Sequence, residues 1–590
     1  MKSFIATASA VLFAAQAVSQ SLPQVDLGYE IHQAISFNRL RLQNRSNTYN
    51  FNNIRFAQPP VGDLRFAAPV APTGRNPVVQ NGSFSPICPQ ALPGWSPVGN
   101  AFAAAFAAGN ASTFNYTAAV AAAQAAAATA APYQPSPQET EDCLFLDVVV
   151  PRPIFDNANS NSMRRKRASG PGAPVLIWIY GGGYVAGSKQ QGGIYNPSGL
   201  INASLANGGQ GIVYVALNYR LGALGWLSGP SFQGQGGISN AALYDQRLGI
   251  EWVKQNIHLF GGDPNQITLI GESAGGGSIM HQITAYGGLR PVSFQRAIPQ
   301  SPGWLPVSDQ YTQENHTNIF FRNLNVSSLA EARAASSAAV VRANLLTVYN
   351  ANYGSYIFGP TVDGVFVPAQ PGLSLLTNIS YAKNISVMPG HNTNESPLFA
   401  PPYVQTDDQL TAYITSTYHT ATPQIVNYIV NTLYPAVYNG TYPWRSPIDR
   451  TLKLVTESVF SCNTNYLARA YNNQTHNYQF AVPPALHGQD IYSTFYQGQG
   501  TNLSQGIYAP VANALQTYIT NFAMTADPNR PSLNSAGGSV PYFPVQGNNA
   551  TLMMLNYTVT SPTSVVPAIG LARDETVNER CTFWQKSLYT

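Results

Sequence analysis

The chain has 590 residues, a formal net charge of +4 and only 9% charged residues. A chain of this length can bury a large hydrophobic core, and the lack of a basic stripe in the sequence argues against a nucleic-acid partner. No segment has the composition of a linker, so we expect one large domain over residues 20–590 rather than several average ones.

The N-terminus has the pattern of a secretory signal peptide. Lys2 precedes a mostly apolar run at residues 4–15, and a small-x-small pattern ends at Ser19. We expect cleavage after Ser19 or Gln20, which makes residues 1–19 the signal peptide. No later segment is long and apolar enough to cross a bilayer, and the C-terminus does not resemble a lipid-anchor tail.

About fifteen Asn-x-Ser/Thr sequences follow the signal peptide. This sequence is the acceptor for N-linked glycans, and so many copies behind a signal peptide predict a secreted, extracellular glycoprotein. Carbohydrate would also supply the surface polarity that the few charged residues do not. The acceptors include Asn44, Asn81, Asn110, Asn115, Asn202, Asn378, Asn439 and Asn556.

Four cysteines are present, and an even count in an oxidising compartment predicts two disulfides with three possible connectivities. The alternative is that one pair stays reduced and buried. Pairing in sequence order would leave two separate closed loops. The cysteines are Cys88, Cys143, Cys462 and Cys581.

Two stretches interrupt the pattern of strands and helices, and we predict that both are surface insertions. The first, near residues 100–137, is Ala-rich, and its segments Ala101–Ala108 and Ala118–Ala131 are strong helix formers. The second, residues 151–173, is polar and contains the basic run Arg164–Arg167. This run is either a protease cleavage site or a solvated charge cluster.

An alternating order of strands and helices begins after the second insertion. Residues 175–179 and 211–217 are continuous apolar runs suited to buried strands, and residues 241–257 have helical spacing. Residues 266–270 form another short apolar run. This alternation predicts an α/β protein with a mostly parallel central sheet flanked by helices.

Ser273 lies in Gly271–Gly275, a G-x-S-x-G sequence between a predicted strand and a predicted helix. On such a turn the serine backbone is strained and the hydroxyl projects clear of the sheet, as a nucleophile requires. The small flanking residues allow helix and strand to approach closely. The alternative interpretation is a Gly-rich turn without chemistry.

A serine nucleophile needs an oxyanion site, a base and a group that orients the base. The Gly-rich sequence Tyr180–Tyr184 follows the first buried strand. Its glycines would let the N–H groups of Gly182 and Gly183 turn toward a carbonyl oxygen, and Ala274 would supply a third donor. The alternative is a tight turn at the end of a strand.

Chain order predicts the acid and the base, because both follow the serine, with the histidine last. His487 is the last histidine and follows a sequence that predicts an exposed loop. His316 and His476 lie in or beside glycosylation sequences, so we expect them at the surface. Glu395 follows a short strand pattern, where catalytic side chains of an open α/β sheet belong. Other acids between the serine and His487 include Asp363, Asp407, Asp408 and Asp449.

The chain carries six further motifs, at Glu141–Asp147, Trp178–Gly183, Asn218–Trp226, Asp245–Arg247, Asn256–Pro264 and Arg580–Trp584. Together with the serine sequence they resemble the type-B carboxylesterase and lipase family of the α/β-hydrolase superfamily. That family includes fungal secreted carboxylesterases and lipases and, more distantly, the cholinesterases. The resemblance runs from the first cysteine pair to the C-terminus, and the central block is highly specific.

The resemblance implies an α/β-hydrolase fold and the hydrolysis of carboxylic esters through an acyl-enzyme on Ser273, without a metal or other cofactor. It supports Glu395 as the acid, His487 as the base and the three oxyanion donors. Residues 390–395 are similar to the family's Gly-x-Asn-x-x-Glu. It also implies two disulfides paired in sequence order, Cys88 with Cys143 and Cys462 with Cys581.

Departures from the family concern specificity. Trp95 does not occupy the position of the choline-binding tryptophan of cholinesterases, so choline specificity is not supported. The Ala-rich insertion lengthens the first disulfide loop, and in the resembling lipases this loop forms a lid over the active site. The insertion is therefore either a lid or a passive surface addition. Two alternative functions are a lipase that acts on acylglycerols at interfaces and a non-catalytic adhesion-type relative.

Two neighbours of the predicted site residues have roles that the sequence leaves open. Asn394 begins a glycosylation sequence beside Glu395, and we expect it to stay unmodified because a glycan there would block the site. Glu272, directly before the serine, either adjusts the local electric field or makes a structural hydrogen bond.

Overall fold

The computed structural model describes residues 22–36, 47–129, 135–159, 172–206, 209–307, 309–378, 380–529, 540–561 and 564–589. The predicted signal peptide, the acceptor Asn44 and the basic run Arg164–Arg167 lie outside these residues. Cleavage at the signal peptide and at the basic run therefore stay predictions.

Two β-sheets organise the described part of the chain. Their strands are β1 (Gln24–Asp26), β2 (Glu30–Gln33), β3 (Ile35–Ser36), β4 (Thr48–Arg55), β5 (Asn76–Gln80), β6 (Phe145–Pro151), β7 (Ala173–Ile179), β8 (Val213–Leu217), β9 (Gly262–Glu272), β10 (Arg296–Gln300), β11 (Ser386–Val387), β12 (Gly390–Asn392), β13 (Tyr478–Phe480), β14 (Thr551–Ser561) and β15 (Ser564–Arg573). β1, β2 and β5 form a small sheet. The others form a 12-stranded sheet in the order β15-β14-β13-β12-β10-β9-β7-β8-β6-β4-β3, with β11 beside β10.

The centre of the large sheet is parallel, from β8 through β7, β9, β10, β12 and β13 to β14. Antiparallel strands stand at its two ends, with β15 beside β14 and with β6, β4 and β3 beyond β8. Every residue of β7 and β8 is buried, which explains their continuous apolar sequences. The predicted α/β class with a mostly parallel sheet is confirmed.

Helices surround the sheet, and the one after β9 packs on β7, β9 and β10. They are α1 (Ser96–Ala107), α2 (Tyr116–Thr129), α3 (Arg152–Asn159), α4 (Ser198–Leu205), α5 (Gly222–Trp226), α6 (Pro230–Gly234), α7 (Ala241–Asn256), α8 (Ala274–Thr284), α9 (Gln310–Leu324), α10 (Leu329–Ala334), α11 (Ser337–Tyr349), α12 (Pro371–Leu376), α13 (Asp407–Thr417), α14 (Pro423–Tyr428), α15 (Pro447–Val455), α16 (Cys462–Ala470), α17 (Asp490–Thr494), α18 (Ala509–Thr525) and α19 (Glu579–Gln585). A π-helical segment, Thr456–Ser461, joins α15 to α16.

The Ala-rich insertion forms α1 and α2, and the two helices are held differently. α1 buries Val98 and Phe102, and the ring of Phe102 packs on Phe114 at 5.1 Å. No residue of α2 is buried. The ring of Tyr116, at the start of α2, contacts Tyr403 with a centroid distance of 4.9 Å. α1 is therefore part of the protein body, whereas α2 lies on its surface.

Two disulfides connect distant parts of the chain. Cys88 and Cys143 close the loop that contains the Ala-rich insertion. Cys462 and Cys581 join the first residue of α16 to α19. This is the pairing in sequence order that the resemblance implies.

Candidate active site

Ser273 lies on the turn between β9 and α8. Its backbone has φ 60° and ψ −123°, a conformation that side chains other than glycine rarely adopt. This confirms the predicted strained turn. The helix passes β7 so closely that a Cβ atom at Gly275 would lie 2.0 Å from the carbonyl oxygen of Ile179. Glycine is therefore required where α8 crosses the sheet.

A continuous chain of hydrogen bonds joins the three residues predicted as nucleophile, base and acid. Nε2 of His487 lies 2.7 Å from Oγ of Ser273. Nδ1 of His487 lies 2.6 Å from Oε2 of Glu395. Ser273 follows β9, His487 follows β13 and Glu395 follows β12. These strands are parallel, so their carboxyl ends meet at one edge of the sheet. The sheet thus brings together residues that are far apart in the sequence.

The loop that carries the acid is hydrogen-bonded to the loop that carries the histidine. The side-chain amide of Asn392 donates to the carbonyl of Leu486 at 2.8 Å. The side-chain amide of Asn394 donates to the carbonyl of Pro484 at 2.8 Å, and its backbone N–H donates to Ala485 at 2.9 Å. These bonds fix the distance between the two loops.

Two aromatic rings cover the imidazole of His487. The ring centroids of Phe399 and Phe460 lie 5.1 and 4.4 Å from that of the imidazole. Phe460 belongs to the π-helical segment Thr456–Ser461. The side chain of His487 is only 8% exposed, although its loop reaches the surface at Pro483. The loop is present, but rings from elsewhere in the chain cover the imidazole, and no local motif marks them.

The predicted oxyanion donors lie beside the serine. Gly182 and Gly183 have φ of 118° and 61°, which favour glycine. A Cβ atom at Gly183 would lie 2.4 Å from the ring of Tyr356, so glycine also makes room for this ring. Gly183, Ala274 and Ser273 line one cavity. The N–H of Ala274 is in the first turn of α8 and has no acceptor within the helix, so it is available to a substrate.

The cavity in front of Ser273 has a volume of about 720 Å³, within the range that suits a drug-sized ligand. Its walls come from α9, α13, the π-helical segment and residues 350–359. Aromatic side chains dominate these walls. They are Tyr184, Trp304, Tyr311, Tyr353, Tyr356, Phe358, Phe399, Tyr403, Tyr413, Tyr418, Phe460 and Tyr589.

His316 and His476 are half-buried, so they reach the surface only in part. His316 lines the cavity, and so does its more exposed neighbour Asn315 on the same helix. His476 lies with Nδ1 3.1 Å from the carbonyl oxygen of Phe543.

Two further buried carboxyl groups, those of Glu272 and Asp490, act on the imidazole of His487. Oε1 of Glu272 lies 3.3 Å from Nε2 of His487, and within the described residues this oxygen has no hydrogen-bond partner. Burial raises the pKa of Glu272 to about 8 and the pKa of Asp490 to about 7. Burial lowers the pKa of His487, but the carboxylates of Glu272 and Glu395 outweigh it and raise the pKa to about 9. The raised pKa values of Glu272 and Asp490 reflect their interaction with neighbouring charged groups as well as their burial.

Asp490 is a site residue that the sequence analysis missed. Its carboxylate accepts hydrogen bonds at 3.3 Å from the side-chain amides of Gln300 and Asn392 and at 3.4 Å from the hydroxyl of Tyr478. It is fully buried. Its position three residues after His487 is the signal that could have found it.

The sequence profile of the carboxylesterase family matches residues 35–584. The chain belongs to the carboxylesterase family. The carboxylesterase patB of Penicillium expansum is 40% identical to it over 575 residues, which cover 96% of each chain. A secreted lipase of Arthroderma benhamiae is 32% identical over 402 residues, which cover 66% of this chain and 72% of the lipase.

This carboxylesterase is also similar to a protein of known structure. The crystal structure of Aspergillus niger EstA aligns with a TM-score of 0.73 and 25% identity, and covers 96% of this chain and 98% of EstA. The fold is that of the α/β-hydrolase esterases. The chain is therefore a carboxylic-ester hydrolase, and the non-catalytic alternative is not supported. Among the described residues, no helix has the length and apolar character needed to span a membrane.

Proposed function

We propose that this carboxylesterase is a secreted serine hydrolase that cleaves carboxylic esters through an acyl-enzyme on Ser273. The hydrogen-bond chain from Ser273 through His487 to Glu395 is the observation that carries the proposal. The signal-like N-terminus, the two disulfides and relatives named as secreted lipases support secretion. One sheet contains strands from residue 35 to residue 573, which supports a single catalytic domain over residues 20–590.

In the proposed first half-reaction, Oγ of Ser273 attacks the ester carbonyl carbon while Nε2 of His487 accepts the hydroxyl proton. The carbonyl electron pair moves onto oxygen, and the N–H groups of Gly182, Gly183 and Ala274 stabilise the oxyanion. The bond from carbon to the alcohol oxygen then breaks. The alcohol leaves with the proton that His487 returns, and the acyl group remains on the serine.

In the second half-reaction a water molecule gives a proton to His487 and attacks the acyl carbon. Collapse of the second tetrahedral intermediate breaks the bond to Oγ of Ser273, which regains the proton, and the carboxylic acid leaves. Glu395 holds the imidazole with Nε2 facing the serine and stabilises its cationic form. Three side chains and three backbone N–H groups of this chain therefore account for both half-reactions.

N-linked glycans on exposed acceptors are also part of the proposal. Asn81, Asn202 and Asn439 are exposed, which supports their modification. We propose that Asn394 stays unmodified, because its side-chain amide is bonded to the carbonyl of Pro484 at 2.8 Å. This bond ties the acceptor nitrogen into the loop beside the acid.

Hydrolysis of p-nitrophenyl esters of rising acyl length by the purified protein tests the proposal. We expect turnover of short soluble esters, since Ser273 is hydrogen-bonded to His487 and faces a cavity large enough for such a substrate. The protein is a small-molecule esterase if rates fall with acyl length, and a lipid esterase if they rise. No turnover of any ester by folded protein would contradict the proposal.

A lipase that acts at interfaces is the second candidate, because α2 exposes an Ala-rich surface next to the cavity. Its Tyr116 contacts Tyr353 and Tyr403, and both of these line the cavity. If α2 is a lid, activity on tributyrin should rise sharply once the substrate exceeds its solubility. Replacing residues 115–129 by a short Gly-Ser linker should abolish the rise and spare short soluble esters.

This deletion spares the core, because α1 and its buried Phe102 remain. Tyr116→Ala provides a milder variant that only loosens α2 from the cavity wall and should reduce the rise. Smooth saturation across the solubility limit in the full-length protein would exclude a lid and favour a plain esterase.

The carboxyl group of Glu272 sets the pH dependence in this proposal. His487 must be neutral to accept a proton, so activity falls as pH decreases through its pKa, which Glu272 helps to raise to about 9. Glu272→Gln removes this charge and should move the acid limb of kcat/KM to lower pH by about one unit. Initial rates on p-nitrophenyl butyrate between roughly pH 6 and pH 11, a range that brackets the pKa of His487, measure the shift.

Glu251→Gln is the matched control, because Glu251 is 41% exposed and pairs with Arg247 on α7. Its pH profile should equal that of the unmodified enzyme. An unchanged acid limb in Glu272→Gln would show that Glu272 makes only a structural contact.

A further inference from the structure

The mouth of the cavity carries two histidines that the proposed mechanism does not use. His316 lies on α9, and His419 lies in the turn after α13. Both line the same cavity as Ser273. His419 and the neighbouring Tyr311 are exposed, which places this end of the cavity at the protein surface. The serine end is enclosed by aromatic rings instead.

The ring of His316 packs against the ring of Phe358 with a centroid distance of 6.4 Å, and that of His419 lies at the exposed end of the cavity. Among the hydrogen bonds of the described residues, none involves the ring of His316 or His419. Burial lowers the pKa of His316 to about 4, an effect that Asp309 opposes and His419 reinforces. The ring of His316 is therefore neutral at physiological pH, with one nitrogen to donate and one to accept. The two rings offer hydrogen-bonding groups that face a cavity and have no partner.

The surroundings decide what kind of group would bind here. Asp309 also lines the mouth, and its carboxylate would repel an anion. An alkyl chain that reached the mouth would displace water from the imidazoles without replacing its hydrogen bonds. A hydroxyl or carbonyl oxygen can pair with a neutral imidazole without either cost. The walls nearer the serine are aromatic and suit the apolar part of the same molecule.

We propose that His316 and His419 bind a hydroxyl or carbonyl oxygen of the substrate, at the end remote from the ester that is cleaved. The substrate class is then oxygen-bearing esters with an apolar middle, rather than plain alkyl esters. This inference rests on the proposed esterase function of Ser273, because the two histidines would bind the far end of the ester that Ser273 cleaves.

Two matched series of esters test the inference. The first compares p-nitrophenyl esters of alkanoic acids with the corresponding ω-hydroxy acids, and the second compares alkyl acetates with ω-hydroxyalkyl acetates. Each series covers several chain lengths, so that one member spans the cavity. At that length, kcat/KM for the hydroxylated ester should exceed that for the plain ester by roughly threefold to tenfold, as one hydrogen bond provides.

The variants His316→Phe and His419→Phe keep a planar ring and remove the hydrogen-bonding nitrogens. Each should bring the ratio of hydroxylated to plain ester toward one. The second variant changes an exposed residue, so it is informative even if the first does not fold. His258→Phe is the matched control, because His258 is exposed on another surface and does not line the cavity, and it should keep the original ratio.

The outcomes separate this inference from the proposed function. Turnover of plain esters without any preference for a hydroxyl group, in both series and at all lengths, overturns the inference and leaves the esterase standing. A preference that survives both histidine variants also overturns it. A preference lost in His316→Phe or His419→Phe and kept in His258→Phe supports it. Absence of all ester turnover instead overturns the proposed function.

Discussion

Ser273→Ala is expected to lower kcat on p-nitrophenyl butyrate by about a millionfold while the protein stays folded. The substitution removes only the Oγ atom that lies 2.7 Å from Nε2 of His487. Alanine has the same Cβ atom as serine and adds no bulk to the turn, so the strained conformation should persist. Initial rates measure the loss of activity, and thermal unfolding followed by circular dichroism measures the fold.

Ser278→Ala serves as the control for this prediction, since Ser278 is another buried serine on α8 and bonds to Gln246 rather than to the histidine. Its activity should change only slightly. Turnover at the unmodified rate by Ser273→Ala, with the substitution verified by mass spectrometry, would disprove the assignment of the nucleophile.

Glu395→Gln is expected to lower kcat by roughly ten-thousandfold. An amide in place of the carboxylate cannot stabilise the imidazolium, and its N–H₂ group would face Nδ1 of His487 and favour the wrong tautomer. The side chain keeps its size, and its Oε1 can still accept from the backbone N–H of Asn392. The melting temperature should therefore change little while kcat falls. Thermal unfolding and initial rates measure the two effects.

Asp407→Asn and Asp408→Asn are the controls for the acid, because both residues lie between the serine and His487 in the sequence. Asp407 pairs with Arg450 at 2.5 Å, and Asp408 is exposed at the start of α13. Neither contacts His487. Equal losses of activity in all three variants would remove Glu395 as the acid.

Part of the central fold was predictable because several of its strands have a local signature. β7 and β8 are buried on both faces, so their sequences are continuous apolar runs, and α7 keeps helical spacing. The strained turn at Ser273 is also local, since strand, small residues and helix follow one another. Chain order and the strand pattern before Glu395 made Glu395 and His487 candidates, and the family resemblance supported both as acid and base; the sheet brings them together.

The rest of the site depends on contacts between distant parts of the chain. Phe460 covers His487 from a π-helical segment, and a helix interrupted in this way has no simple periodic pattern. The half-buried position of His316 depends on how α9 packs, which its own sequence does not specify. Asp490 contributes to the raised pKa of His487 because the fold buries its carboxyl group close to the imidazole. The sequence alone does not show that burial.

The hydrogen bonds between the acid loop and the histidine loop have a consequence for inactivation. Asn392 and Asn394 join the loops through three bonds to residues 484–486, so neither loop can open without breaking contacts of the other. The two loops form one cooperative unit of local opening, distinct from the buried parallel strands. Heat or mild denaturant should therefore remove the acid and the base in a single step, before the sheet melts. Loss of turnover then reports the opening of this unit, and recovery on cooling reports its closure.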